Sequence, residues 1–586
     1  MNIEKKRFKK HLIPFCIACI ISCGMHAQYK TKQATFDDKW RFRPGDDTAW
    51  AFEKVDEQAW TDVSTKKGLE EQGFPQFNGY GWYRRSVSIP DSLRAAIQKG
   101  GGAVITYGQV DDCDALYFNG HFIGQTGGFP PDYESKYGVQ REYVVPATYV
   151  RFGKPNIVAV RVYDGGGGGG IISQDLAVRN LTPLDLVRMN VEVPDTDKIF
   201  LAPQSHSLSV TVTNNNKTPI AATLHIDITT DDFKPLKSIK QPLTLKPAAT
   251  VNKPVRFTPP APGFYRYSVY LSAKGGHGKM KKFNLGYEPE RIAAPPDAPN
   301  DFNAFWQEGL NALAAVAPDY QLTPLPQASN NDYEVFEVSM QSFGNEPIKG
   351  YYAKPKRAGT FPVTVEYQGY SEGPRLPSLT WDGFAHMLVS IRGQGQNKEG
   401  HRYGDWIVYG LQNKEGYYYR GAYLDVVRGI DFVCTRPEID TTKIVTMGGS
   451  QGGALTFAAA ALDKRVKACA PTIPFLSDYK NYFKIVPWPR SSFENYRKEH
   501  PDVSWEHIYN VLSYFDIKNL APRITAPLFM GIGVQDEVCP PHINFAAFNN
   551  VKAPKRWIAY ADMGHGTGPD FEQKRLQFFK EQLGIQ

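Results

Sequence analysis

The sequence predicts a multidomain chain, two β-sandwich domains followed by an α/β domain on a mostly parallel sheet. Three observations carry this. The chain has 586 residues, more than one ordinary domain holds. From about residue 29 to 288 the apolar residues fall in short alternating runs divided by Gly, Pro and Asn turns, and no helical period persists. Beyond the proline-rich linker Ala293-Ala-Pro-Pro-Asp-Ala-Pro299, strand-like and helix-like segments alternate, as helices on both faces of a parallel sheet require. A hydrophobic content of 42% with 13% aromatics supplies real cores and excludes a disordered chain.

In chain order, residues 1–27 read as a secretory signal peptide. Lys5, Lys6, Arg7, Lys9 and Lys10 precede an apolar stretch from Leu12 to Ser22, too short to span a bilayer, with cleavage expected after Ala27. The protein is therefore expected to be secreted or periplasmic. Ile20-Ile-Ser-Cys23 resembles a lipobox, so a lipoprotein anchored through Cys23 is the alternative. Set against Glu4, those five basic residues carry +4 of the net +7 and leave +3 for the rest, without a basic block. That argues against a nucleic-acid partner. Cys113, Cys434, Cys469 and Cys539 are scattered singly and read as free thiols, and no metal-ligand spacing is visible.

Residues 28–190 form the first expected sandwich, with strand runs such as Ala103–Tyr107 and Asn156–Tyr163. Asn119-Gly120 between two such runs suits a type I′ hairpin turn. The run Gly79-Tyr-Gly-Trp82-Tyr83-Arg84-Arg85, with Phe118-Asn119-Gly120 and Asn156-Ile-Val-Ala-Val, resembles the sugar-binding (galactose-binding-like) jelly-roll domain of glycoside hydrolase family 2. Trp82 and Tyr83 are able to stack on sugar rings, although most strand aromatics are core. The six glycines from Gly165 to Gly170 read as a flexible loop. Residues 191–288 alternate regularly, as in Ser207–Val212 and Tyr265–Leu271, and suggest an immunoglobulin-like sandwich acting as a spacer.

The chemistry is expected in residues 289–586. Lys443-Ile-Val-Thr-Met-Gly-Gly-Ser450-Gln-Gly-Gly-Ala reads as a buried strand, a glycine-crowded turn and a helix, with one serine at the corner. That is the nucleophile elbow of an α/β-hydrolase. With 52 glycines in the chain, about 0.3 chance G-x-S-x-G matches are expected. A second match, Gly369-Tyr370-Ser371-Glu372-Gly373, runs into Gly-Pro-Arg-Leu-Pro and cannot open a helix promptly. Ser450 is therefore the expected nucleophile. In this fold the acid and the histidine follow in that order at strand ends. Ala526–Asp536 ends a strand-like run in an acid, with Glu537 as its rival. Trp557–His565 ends another in a histidine, with His386, His401 and His542 as rivals.

Taken together, Arg392-Gly-Gln394-Gly, Tyr418-Tyr-Arg-Gly-Ala-Tyr-Leu-Asp425, Gly449-Ser450-Gln451-Gly-Gly453, Pro474–Asp478, Ser513–Leu520 and Asp536–Pro541 resemble carbohydrate esterase family 7. That family comprises acetyl xylan esterases and cephalosporin C deacetylases. The resemblance implies a sugar deacetylase acting through an acetyl-serine. It implies an oxyanion hole from the backbone N–H groups of Gln451 and Tyr370, and Arg392 with Gln394 as structural support of the site. It implies no cofactor, an acetylated oligosaccharide or polysaccharide substrate and, from the family's habit, a homo-oligomer. Two departures stand out: His565-Gly566 where the family usually has His-Glu, and Gln368 where a histidine is common. A prolyl oligopeptidase-like peptidase and a non-catalytic carbohydrate-binding protein are the rival readings.

Overall fold

The computed structural model describes residues 33–585 except 76, 167–168, 173–174, 274–275 and 279. The expected signal peptide, Cys23 and the middle of the six-glycine run lie outside the described residues. The chain is multidomain, with a β-rich N-terminal region and a C-terminal α/β region.

Among the described residues, the first β region holds a five-stranded and a six-stranded sheet whose inner faces share one core. Trp40, Tyr83, Tyr107 and Val160 lie in that core. Trp82 is 0% exposed and Tyr83 2% exposed, so neither is placed to stack on a sugar. Asn119 and Gly120 both take positive φ, 50° and 82°, as a type I′ turn needs, and pair Phe118 with His121. The second β region pairs a three-stranded with a six-stranded sheet around Leu208, Val210, Ile226 and Tyr267. The strand Val187–Glu192 pairs along its whole length with His206–Asn214. It therefore crosses the boundary expected at residue 190, because its alternating side chains close the second core.

The C-terminal region is built on a nine-stranded sheet. Its strands are β1 (Gln321–Pro324), β2 (Tyr333–Ser342), β3 (Glu346–Pro355), β4 (Phe361–Tyr367), β5 (Ala385–Ser390), β6 (Ile439–Gly449), β7 (Val466–Thr472), β8 (Leu528–Gly533) and β9 (Lys555–Tyr560). They lie in the order β1-β2-β3-β5-β4-β6-β7-β8-β9. The first three pair antiparallel, and the remaining six run parallel. The helices α1 (Phe302–Ala314), α2 (Tyr418–Cys434), α3 (Gln451–Leu462), α4 (Pro541–Phe548) and α5 (Phe571–Leu583) accompany it. Burial follows from the parallel arrangement. All of α3 is buried, with Gln451 and Thr456 its only polar side chains, and most of β4 to β8 is inaccessible, because helices cover the sheet. The proline-rich stretch is not a loose tether. Asn519 donates to Asp297 Oδ1 at 3.1 Å, and Asn550 donates to the Ala294 carbonyl at 2.7 Å.

Candidate active site

A parallel sheet brings the carboxyl ends of its strands to one edge, so the loops that follow them share a crevice. Ser450 follows β6, Tyr370 follows β4, Arg392 follows β5, Asp536 follows β8 and His565 follows β9. Ser450, His565, Tyr370, Phe475, Trp488 and Cys539 line one pocket of about 450 Å³.

Ser450 takes φ 56° and ψ −118°, a strained corner held from both sides. Its N–H donates to the Thr472 carbonyl at 3.0 Å, and its own carbonyl accepts from Phe475 N–H at 3.0 Å. A Cβ at Gly452 would fall against the Tyr367 carbonyl oxygen, so glycine is required for α3 to pass this close to β4. The Ser450 hydroxyl lies 3.9 Å from Cys539 Sγ. Burial and the neighbouring Asp536 charge push the Cys539 thiol well above its ordinary range, so it stays neutral.

Asp536 is fully buried and accepts from Val538 N–H and Cys539 N–H, both at 2.8 Å. Its other oxygen faces His565 Nδ1 at 2.9 Å. Glu537, the rival acid, is exposed and points to Arg266 at 3.9 Å. The rival histidines are engaged elsewhere. His386 meets Thr364 inside the sheet at 2.9 Å, His401 packs on Trp406, and His542 lies 2.8 Å from Asp231.

The loop after β4 is tied down by side chains. Gly369 N–H donates to Glu372 at 2.8 Å and Ser371 N–H to Gln394 at 2.9 Å. The Tyr370 N–H between them has no acceptor among the described residues. Gln451 opens α3, where the first N–H groups of a helix have no intrahelical partner. Ser371, the serine of the second motif, sits in this loop with φ 59°.

Beneath the pocket, Arg392 is buried against Asp425, donating from Nε at 2.9 Å and from Nη2 at 2.7 Å. The Tyr418 hydroxyl donates to the Arg392 carbonyl at 2.6 Å. Gln394 Nε2 donates to the Tyr418 hydroxyl at 3.0 Å, and the Gln451 amide stands beside it at 3.1 Å. Arg392 and Gln394 thus join three loops without touching the pocket. Phe475, Trp488 and Cys539 were not singled out from the sequence as pocket residues. Aromatic and thiol side chains carry no spacing signal, and all three arrive on loops.

A family model of acetyl xylan esterases matches residues 283–583. The chain belongs to the acetyl xylan esterase family. It is a serine carboxylic ester hydrolase. Among relatives, acetyl esterase Axe7A of Xylanibacter ruminicola is 26% identical over 337 residues, 55% of this chain and 75% of that protein. The acetyl xylan esterase from Paenibacillus sp. R4 is similar in structure at 32% identity and a TM-score of 0.48, covering 50% of this chain and 98% of that one. A Bacteroides uniformis β-glucuronidase is similar at 13% identity and a TM-score of 0.33, covering 94% of this chain and 58% of that one. In this acetyl xylan esterase family member, a Cβ at Gly566 would meet only Met563 Cε, at 3.7 Å. The missing glutamate is therefore not excluded by crowding.

Proposed function

We propose that the protein is a secreted enzyme that removes O-acetyl groups from xylan or xylo-oligosaccharides through a Ser-His-Asp acyl-enzyme mechanism. The observation that carries this is the convergence of Ser450 with the bonded pair His565 and Asp536 in one pocket at the strand ends. The strand order, with a glycine-crowded serine corner after β6, supports an α/β-hydrolase domain. The two pairs of sheets ahead of it are read as two β-sandwich domains. Secretion rests on the basic and apolar pattern of residues 1–27.

In the mechanism, Asp536 fixes the His565 tautomer so that Nε2 is the base. In this structure the Ser450 hydroxyl lies 3.9 Å from Cys539 Sγ; it turns toward His565 Nε2 and passes its proton to that nitrogen as it attacks. The serine oxygen attacks the acetyl carbonyl, and the Gln451 and Tyr370 N–H groups receive the oxyanion. His565 then protonates the departing sugar oxygen. Water, deprotonated by the same ring, attacks the acetyl-serine and releases acetate.

Acetate release from acetylated xylo-oligosaccharides, compared with p-nitrophenyl acetate and a proline-containing peptide ester, tests the reading. Turnover of both acetyl substrates is expected. Hydrolysis of the peptide ester alone would move the protein to the peptidase reading.

A further inference from the structure

A cleft of about 1020 Å³ lies beside the Ser450 pocket, between the second β region and the C-terminal segments that carry Pro487, Gln535 and Asp562, with Gly138 and Val139 of the first β region at its edge. The two cavities share a wall. Pro487 borders the cleft and Trp488 the pocket; Glu537 borders the cleft and Val538 the pocket. A glycan leaving the pocket across this wall enters the cleft within one or two residues of protein.

Its charge is unbalanced. Lys198, Arg266, Lys281 and Lys282 line it against Glu537 and Asp562, a surplus of two positive charges. Both acids are already engaged, Asp562 by Lys198 and Glu537 by Arg266. Lys281 reaches the Asn190 side-chain oxygen at 3.5 Å, and its charged neighbours are Arg188 and Lys198. Desolvation and these two cations lower its pKa, the sign of a positive charge held without a counter-charge. A neutral ligand leaves that surplus unbalanced, whereas a carboxylate relieves it. The Arg266 guanidinium, stacked 4.3 Å over the Phe233 ring, adds a planar donor fork beside an apolar face.

We propose that this cleft is a second carbohydrate subsite, taking the carboxylate of an acidic sugar on the same glycan whose acetyl group enters the Ser450 pocket. The subsite rests on the deacetylase reading for its connection to turnover. The carboxylate has two sources, a uronic acid branch on a neutral backbone or a polyuronate backbone itself.

The full chain is assayed on p-nitrophenyl acetate, acetylated neutral xylo-oligosaccharide, its uronic-acid-branched counterpart and an acetylated oligo-uronate. One acidic substrate is expected to show a kcat/KM about fivefold above the neutral one at low salt, as exposed ion pairs allow. The gain resides in KM, fades at high salt and disappears in Lys281→Glu and in Lys282→Glu, with p-nitrophenyl acetate turnover unchanged. Whichever acidic substrate carries the gain identifies the source. Equal kcat/KM for acidic and neutral saccharides overturns the proposal, as does an equal loss on all substrates in both variants. If p-nitrophenyl acetate is cleaved but no saccharide releases acetate, the deacetylase reading fails instead. Calorimetry with the deacetylated acidic oligosaccharides then decides the subsite alone. Salt-sensitive binding lost in Lys281→Glu supports it, and no binding overturns it.

Discussion

Two buried Arg–Asp pairs sit in different regions of this chain, Arg141 with Asp114 in the first β region and Arg392 with Asp425 beneath the candidate active site. Each arginine also donates to backbone carbonyls, Arg141 to Val110 and Asp112 and Arg392 to Phe343. Arg141 ties the strands of the first β region to the turn of Lys136 and Val139. Arg392 anchors the segment from which Gln394 holds the loop of Tyr370 and Ser371. The same chemistry therefore stabilises one region and aims another. What differs is only the loop that hangs from it.

The sharpest way to break that contrast is at the pocket itself. Ser450→Ala is expected to lower acetate release by about 10⁴-fold or more, and Ser371→Ala by no more than about threefold, since its hydroxyl is outside the proposed chemistry; steady-state assays on p-nitrophenyl acetate decide this. Reversal of the two would move the nucleophile to the loop after β4. Next, Arg141→Ala and Arg392→Ala each leave a buried carboxylate unpaired, at a cost of about 3–5 kcal/mol in urea unfolding. Where protein remains folded, Arg392→Ala also lowers kcat, and Arg141→Ala leaves it unchanged. Equal effects on kcat would dissolve the distinction between bracing and aiming.

A third prediction separates histidines inside the regions from the one between them. Burial holds His206, in the second β region, and His386, in the sheet, at about 4. Their unfolded value is near 6.5, so the unfolded chain takes up protons first as pH falls. Stability present above pH 6.5 is lost on the way to pH 4, by about 3 kcal/mol for each. His542, which bridges to Asp231 of the second β region, has its pKa raised through that carboxylate despite desolvation. Its contribution is full below pH 6.5 and is lost as pH rises through its folded value. Unfolding at several pH values with His206→Phe, His386→Phe and His542→Gln should give slopes of opposite sign. The smallest effect is expected for Gly566→Glu. There is room for its Cβ, so stability should shift by less than about 0.5 kcal/mol, and any rise in kcat would measure what the missing glutamate supplies.

The candidate site left clearer marks in the sequence than the frame around it. Strand, glycine corner and helix about Ser450 are local in sequence, and the chain order of acid and histidine leads to Asp536 and His565. β1, β2 and β3 escaped, as did β7, because alternating or short apolar runs ahead of and between motifs do not announce which sheet they join. The helices at 479–485, 490–499 and 505–513 were also unread. They form an aromatic cap in which Phe483, Phe493 and Trp505 meet through packing that no periodicity encodes. Trp82 and Tyr83 mark the limit of residue type: it allows a sugar platform beside the core reading, and burial decides for the core.

The second β region also grips the loops of the candidate triad. Asn284 N–H donates to the Gln535 side chain at 2.7 Å, and its amide donates to the Val534 carbonyl at 3.2 Å, immediately before Asp536. Lys198 pairs with Asp562, just before His565. Because both partners belong to one polypeptide, these contacts form at the high effective concentration of a tethered pair. Severing the chain within 293–299 makes them a bimolecular encounter governed by dilution, so the activity of the two fragments should depend on the concentration of the N-terminal half.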